Sequence, residues 1–397
     1  MVSFPALSLL RSVFCSAAAL ALATSGGGLV FAENGDGVLA HDFDGDGVDD
    51  FALEYELSPD DTDASSLWFM DDSAQLLNWW DSGPGGWDRD RSHPVSGDFN
   101  GDGLAEVASF YDYPSTGEQM LWAFDQGGSF PTVVWRSGQG GPIGATQLRV
   151  LSGDFNGDGF DDVMAFGDLP VGDTHAMWVP GSTSGLGGAR FVWSSQFGGW
   201  DLSSTKLAVG DIEGDGDDEV LMLYEYDYGV VRLWAMPGTP AGPVAPLERW
   251  NSCQFCWALS PTQIAVGDLD GDGIDDISLF YDYGSATTGW WVFFGDDLAD
   301  GGIPSPSRLW LSQFGAFDSS SAKYSAGDFD GDGLSEVRAL YDYGGSMTKV
   351  WSFELVRAGS SDYIIDVKAP PLSVPGVAGW GAGVALTAFY WDRTALV

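Results

Sequence analysis

Nine-residue runs of the form Asp-x-(Asp/Asn/Glu)-Gly-Asp-Gly-x-x-(Asp/Glu) begin at Asp42, Asp98, Asp154, Asp211, Asp268 and Asp328. They are clusters of hard oxygen donors. Glycine at positions 4 and 6 lets the backbone curl, so side chains at positions 1, 3 and 5 converge. A carbonyl at position 7 and the acid at position 9 then complete a shell that suits calcium, which takes six to eight oxygens at about 2.3–2.6 Å. The expected ligands of the first loop are Asp42, Asp44, Asp46, the Val48 carbonyl and Asp50. The second offers Asp98, Asn100, Asp102, Leu104 and Glu106, and the third Asp154, Asn156, Asp158, Phe160 and Asp162. The fourth offers Asp211, Glu213, Asp215, Asp217 and Glu219, the fifth Asp268, Asp270, Asp272, Ile274 and Asp276, and the sixth Asp328, Asp330, Asp332, Leu334 and Glu336.

Without a cation these would be acidic, glycine-rich turns whose carboxylates repel one another, by about 4 kcal/mol for a pair 4 Å apart at surface-like dielectric. Metal binding is therefore expected to be coupled to folding. An EF-hand requires Glu at position 12 between helices; here that position holds Leu53, Ser109, Ala165, Met222, Leu279 and Ala339, which excludes it. The fourth loop, with the longer Glu213 at position 3, is expected to differ in affinity. Acids beside the loops (Asp49, Asp161, Asp218, Asp275) are expected to be solvated.

The elements that hold these loops recur with them. Steps between loops are 56, 56, 57, 57 and 60 residues. After each loop comes a short apolar run such as Val107–Tyr113 or Ile277–Tyr283, then a stretch containing Trp68, Trp122, Trp178, Trp234, Trp290-Trp291 or Trp351. A second Trp follows (Trp80, Trp135, Trp193, Trp250, Trp310), with an aromatic seven residues later in four copies (Trp87, Trp200, Trp257, Phe317). Short β-branched and aromatic runs between Gly/Asp/Ser turns read as strands. Four strands in roughly 57 residues make one propeller blade, and a lone blade buries too little to stand alone. The expectation is all-β: one six-bladed propeller of four-stranded antiparallel blades over residues 33–397. Seven blades, the last a partial one from 370–397, is the alternative. The C-terminal stretch from Trp391 resembles the lead-in at Trp200, so the sixth repeat is expected to be completed across the two chain ends, with an insertion in 357–385.

Composition narrows the function. The chain has 397 residues, 44% hydrophobic, with 58 acidic against 16 basic residues and a formal charge of −42. The apolar share allows a large core, and the charge repels phosphate backbones and anionic headgroups. Nucleic acid is not an expected partner. Six Ca²⁺, one per loop, would offset 12 of the 42 charges. Residues 1–32 read as a secretory signal: Arg11, an apolar run from Ser12 to Ala23, and cleavage after Ala32 or Ser25; a retained anchor is the alternative. The mature chain is expected to be secreted or extracytoplasmic, with the cell surface open to it and no membrane insertion after cleavage.

The loops, their spacing and the strand after each resemble the FG-GAP/VCBS repeats of the integrin α-subunit propeller and of secreted bacterial propellers, over about residues 36–397. The Phe-Gly…Gly-Ala-Pro portion of that repeat is replaced by Tyr-Asp-Tyr-Gly variants. The resemblance implies a calcium-stiffened recognition or adhesion scaffold, in some members lectin-like, for an extracellular glycan or protein ligand. A calcium-dependent polysaccharide-active enzyme and a purely structural envelope component are the rivals. An enzyme of that kind needs clustered Arg, Lys, His or Tyr in a cleft, and 16 basic residues make such a cluster unexpected. His41, His93 and His175 share no triad or metal spacing. Cys253 and Cys256 replace an ordinary turn of the repeat and are expected to form a local disulfide in an oxidising compartment. The recurring Trp residues are expected to pack blades; the non-repeating Trp79, Tyr226, Tyr228, Trp290 and Trp380 are candidate ligand contacts.

Overall fold

The computed structural model describes residues 39–392 apart from 57–64, 71–75, 84–85, 89–90, 125–130, 138–147, 170–171, 197–198, 300–304, 344–347, 358–361 and 369–388. The expected signal segment and Trp380 lie outside them. Each repeat folds on itself as an antiparallel meander. The first blade is β1–β4 (Leu39–His41, Asp50–Glu56, Ser65–Met70, Leu76–Asp81), the second β5–β8 (Ser92–Gly97, Glu106–Tyr113, Glu118–Phe124, Thr132–Arg136). The third is β9–β12 (Leu148–Gly153, Asp162–Leu169, Asp173–Val179, Arg190–Ser194), the fourth β13–β16 (Thr205–Gly210, Glu219–Tyr226, Val230–Met236, Leu247–Asn251). The fifth is β17–β20 (Thr262–Gly267, Asp276–Asp282, Thr288–Phe293, Ser307–Leu311), and the sixth β21–β25 (Ala322–Gly327, Glu336–Asp342, Thr348–Arg357, Asp362–Lys368, Phe389–Asp392). Strands follow chain order in every sheet.

The acidic loops are the hairpin connections between the first two strands of each blade. In each copy the residue before the first Asp pairs with the closing acid, as in Gly153↔Asp162 and Gly210↔Glu219. Third strands bulge at or beside their Trp in blades one to five, for example between Leu121 and Trp122. A bulge adds local twist.

The inner strands β1, β5, β9, β13, β17 and β21 neighbour one another in order, and β1 lies beside β21. The ring closes at six, which rules out the partial seventh blade. The chain ends do not share a blade as expected. Asp362–Lys368, an alternating apolar stretch inside the anticipated insertion, supplies the sixth blade's fourth strand, and Phe389–Asp392 pairs outside it. With that edge position taken, the first blade is built from its own contiguous chain.

Packing between blades repeats as the Trp spacing foretold. Trp200 meets Trp193 of its own blade edge-on at 6.1 Å, and Tyr224 and Trp234 of the next at 4.4 and 6.0 Å. Trp87, Trp257 and Phe317 do the same with Tyr111, Tyr281 and Tyr341. Such pairs contribute about 0.5–1.5 kcal/mol beyond their burial. Trp290, expected as a ligand contact, is core: it is fully buried and donates through Nε1 to Ser278. A Trp pair at this point of the third strand sends one ring to each face, and only Trp291 follows the repeat. Trp79 stacks on Phe69 and meets Phe43 edge-on.

Candidate metal centres

Position 2 of each loop anchors it. Phe43, Phe99, Phe155, Ile212, Leu269 and Phe329 are all buried. In five copies the backbone N–H of this residue donates to the closing acid, at 3.0–3.3 Å: Phe43 to Asp50, Phe99 to Glu106, Ile212 to Glu219, Leu269 to Asp276 and Phe329 to Glu336. Position 1 organises the turn. Asp42 accepts from Gly45 and Gly47, and Asp98, Asp211, Asp268 and Asp328 accept from the equivalent amides; Asp154 accepts from Asp158 and Gly159. Gly45 and Gly47 take φ of 82° and 87°, and their counterparts do likewise. A side chain there would be strained.

Three acids come together in four loops, with carboxylate oxygens within 4.8 Å of one another: Asp42/Asp44/Asp50, Asp98/Asp102/Glu106, Asp268/Asp270/Asp276 and Asp328/Asp330/Asp332. Position 5 belongs to the triplet in the second and sixth loops, and in every loop it also shapes the turn: Asp46, Asp102, Asp158, Asp215, Asp272 and Asp332 each accept from the N–H of position 7, namely Val48, Leu104, Phe160, Asp217, Ile274 and Leu334. Among the described residues the third and fourth loops show no such triplet, although the second forms one with Asn100 donating to Glu106. In the third, Asn156 is neutral and donates to Asp162, whose carboxylate also takes Trp178 Nε1 and the Gly181 N–H. In the fourth, Glu213 pairs with Arg249. In the sixth, Glu336 pairs with Arg338 at 2.9 Å.

The donor set fits a hard divalent cation, being all oxygen and rich in acids that resist ionisation alone. Burial, reinforced by Asp44, Asp46 and Asp42 and opposed by the Phe43 N–H, pushes Asp50 up to about 7. Burial raises Asp162 to about 7, Glu219 to about 8 and Glu336 to about 7, and lifts Asp276 well above the carboxylate range.

The loops also interlock, which the sequence did not reveal. The position-8 N–H of each donates to the position-1 carbonyl of the loop before: Ala105 to Asp42, Asp161 to Asp98, Asp218 to Asp154, Asp275 to Asp211, Ser335 to Asp268, and across the seam Asp49 to Asp328 at 3.0 Å. Where position 8 is an acid, its carboxylate accepts the position-1 N–H in return: Asp161 from Asp98, Asp218 from Asp154, Asp275 from Asp211 and Asp49 from Asp328, at 2.8–3.0 Å. These four acids are therefore joints and not solvated groups. Burial pushes Asp218 to about 8 and Asp275 to about 6, and raises Asp49. The joint dictates the glycine before each loop. A Cβ on Gly210 would stand 2.4 Å from Val266 and 2.6 Å from Asp275. Only His41 departs from glycine at this place, where its neighbour at position 8 is the small Ala105.

Each match to a known family spans such a joint. Residues 98–165 and 211–279 match the FG-GAP-like repeat. Each FG-GAP-like match runs from the first Asp of one loop through the closing acid of the next. No curated protein matches the sequence. Among solved structures the chain is similar to a point mutant of Aleuria aurantia lectin in complex with alpha-methyl-L-fucoside, at 11% identity and a TM-score of 0.50, over 86% of this chain and 97% of that one. It is also similar to AofleA from Arthrobotrys oligospora, at 9% identity and a TM-score of 0.48, over 92% and 91%. At such identities the likeness is one of fold. Among the described residues no helix is long and apolar enough to cross a membrane.

Other expected features fall as follows. Cys253 and Cys256 are disulfide-bonded. His93 pairs with Asp112 and His175 with Asp173. His41 touches Ser96 Oγ at 2.9 Å and stands 3.8 Å from Asp161, but Ser96 is only 1% exposed. A basic cluster in a cleft, unexpected from the sequence, is present: Arg149, Lys206 and Lys323 line one cavity together with Tyr324.

Proposed function

We propose that this chain is an exported propeller, residues 33–397 after loss of a signal at 1–32, whose loops hold calcium and whose blade ends recognise a glycan without catalysis. The observation that carries glycan recognition is a recurring aromatic and cationic cluster near the strand ends remote from the loops. Tyr283 accepts from Trp291 Nε1 at 3.2 Å with Arg308 5.5 Å over the Trp ring, and Tyr343 accepts from Trp351 at 3.0 Å with Lys349 5.2 Å from its own ring. Arg232 lies 4.8 Å over Tyr226. Tyr283 and Tyr343 are 48% and 40% exposed, so apolar ring faces with polar tips meet solvent, an arrangement suited to polyols. Tyr228, a candidate from the start, is 75% exposed. The shared fold with a fucoside-binding lectin supports the same reading. The disulfide supports export, since thiols stay reduced in the cytosol.

A glycan array probed with the calcium-loaded chain, with and without EDTA, tests this. Retention of a defined glycan set that disappears with chelator is expected. An array on which the calcium form retains nothing contradicts it.

A further inference from the structure

At the end of the inner strands away from the acidic loops, one register position departs from the repeat's acidity. It is the second residue of each described six-residue inner strand, five before the first Asp of the loop. It holds His93, Arg149, Lys206, Gln263 and Lys323. His93 turns to Asp112, 3.3 Å away. The other four, from four successive blades, line a single cavity of about 330 Å³. Three of the chain's 16 basic residues thus meet in a molecule of charge −42. The lining carries one acid, Glu225, which accepts from the Leu259 N–H at 3.2 Å. Whatever ion pairs these groups make, the wall holds two more positive charges than negative.

From this geometry we infer that the cavity is a binding site for an anionic sugar, a monosaccharide unit bearing a carboxylate or sulfate. The inference rests on the glycan reading above and names its ligand class. Its size is at the lower end of small-molecule sites, about 300–1,000 Å³. The rest of the wall mixes apolar Leu207, Leu259 and Ile264 with hydrogen-bonding Gln263, Ser203, Ser204 and Ser260, which suits the carbon face and the hydroxyls of a sugar ring as the cations suit the acid. The bulk field of the protein repels anions, so acceptance here comes from the lining alone. Five residues of extended strand put it about 16 Å from the loops, beyond direct competition with their cations. No His lines it, its one carboxylate, Glu225, accepts from the Leu259 N–H, and its phenol, Tyr324, hydrogen-bonds Ser319 at 2.9 Å while burial pushes its pKa up. The role inferred for the site is binding.

The test is titration calorimetry on the calcium-loaded full chain with D-galacturonate, D-glucuronate, galactose 6-sulfate, neutral galactose and inorganic phosphate. An acid sugar is expected to bind at least ten times more tightly than galactose. The R149Q/K323Q variant is expected to lose that binding at least tenfold, with melting temperature and calcium content unchanged. The carboxylate and sulfate arms identify which acid the site prefers. Equal binding of galactose and the acid sugars, or acid-sugar binding that the variant leaves intact, overturns the inference while leaving glycan recognition standing. Phosphate binding without any sugar binding overturns it as well. If the wild-type chain binds none of these sugars and the glycan array is also blank, both readings fall.

Discussion

The two ends of the inner strands are built on opposite logics. At one end six loops of nearly identical sequence meet head to tail, position 1 of each hydrogen-bonded to position 8 of the next. At the other, the equivalent position changes from His93 to Arg149, Lys206, Gln263 and Lys323 around the ring. Repetition marks what the joints share, namely an acidic turn and, in four of the six, a glycine beside an incoming carboxylate. Variation marks what the joint does not need and a ligand can use. A propeller can therefore carry its structural chemistry on one face and its recognition chemistry on the other, without either constraining the other.

Changes at the loop end should be costly. Replacing the closing acid by Asp50→Ala removes a candidate ligand and the acceptor of the Phe43 N–H. The calcium-loaded form is expected to lose about 3–5 kcal/mol, the scale of breaking a buried charged pair, measured by denaturant unfolding. Gly210→Ala should cost about 1–3 kcal/mol by overpacking against Val266 and Asp275. His41→Ala, at the same place beside Ala105, should cost less than about 1 kcal/mol. Equal costs would mean that the glycine is not set by the neighbouring blade.

Protonation separates the metal-free and loaded forms. Asp50, Asp162, Glu219 and Asp218 are raised to about 7, 7, 8 and 8 in the folded chain. Their contribution to stability is complete below their unfolded values near 4 and is lost as pH rises through the folded ones. In chelator the chain should thus melt higher at pH 5 than at pH 8. With calcium, whose ligands must be deprotonated, the order should reverse. Thermal melts at both pH values, with and without EDTA, check the signs. The effect confined to a single loop is expected at Glu213→Asp, which shortens a side chain now paired with Arg249. It should tighten the weakest calcium site by about tenfold, or 1.4 kcal/mol, in a competition titration with a chelating dye.

Much of the loop end was legible because its signal lies within each copy: acids at alternate positions, two glycines, and a closing acid at position 9 with none at position 12. The blade followed from the repeat length, and six blades, favoured over seven, from the six copies. The joints were hidden because they pair one copy with the next. Asp161 stands 63 residues from the Asp98 N–H it accepts, and read within its own copy it is one more surface acid. A trace of the pairing is visible once known, since glycine precedes every loop except the one whose partner carries Ala105. The basic register position was legible too, five residues before each first Asp, but three cations among 16 meant nothing until the ring brought them to one cavity. The chain ends misled because Trp391 resembles Trp200 locally, while the strand Asp362–Lys368 had already filled the place it was expected to complete.

Among the described residues no strand crosses the seam between first and sixth blades, and the Asp49–Asp328 pairing of two acidic loops bridges it. Counting bound calcium by native mass spectrometry while following the melting temperature against chelator tests that clasp most directly. Up to six ions per chain are expected, those of the third and fourth loops leaving first, with a fall of at least about 10 °C once all are removed. A chain that carries no calcium, or that melts at one temperature with and without it, would contradict the account.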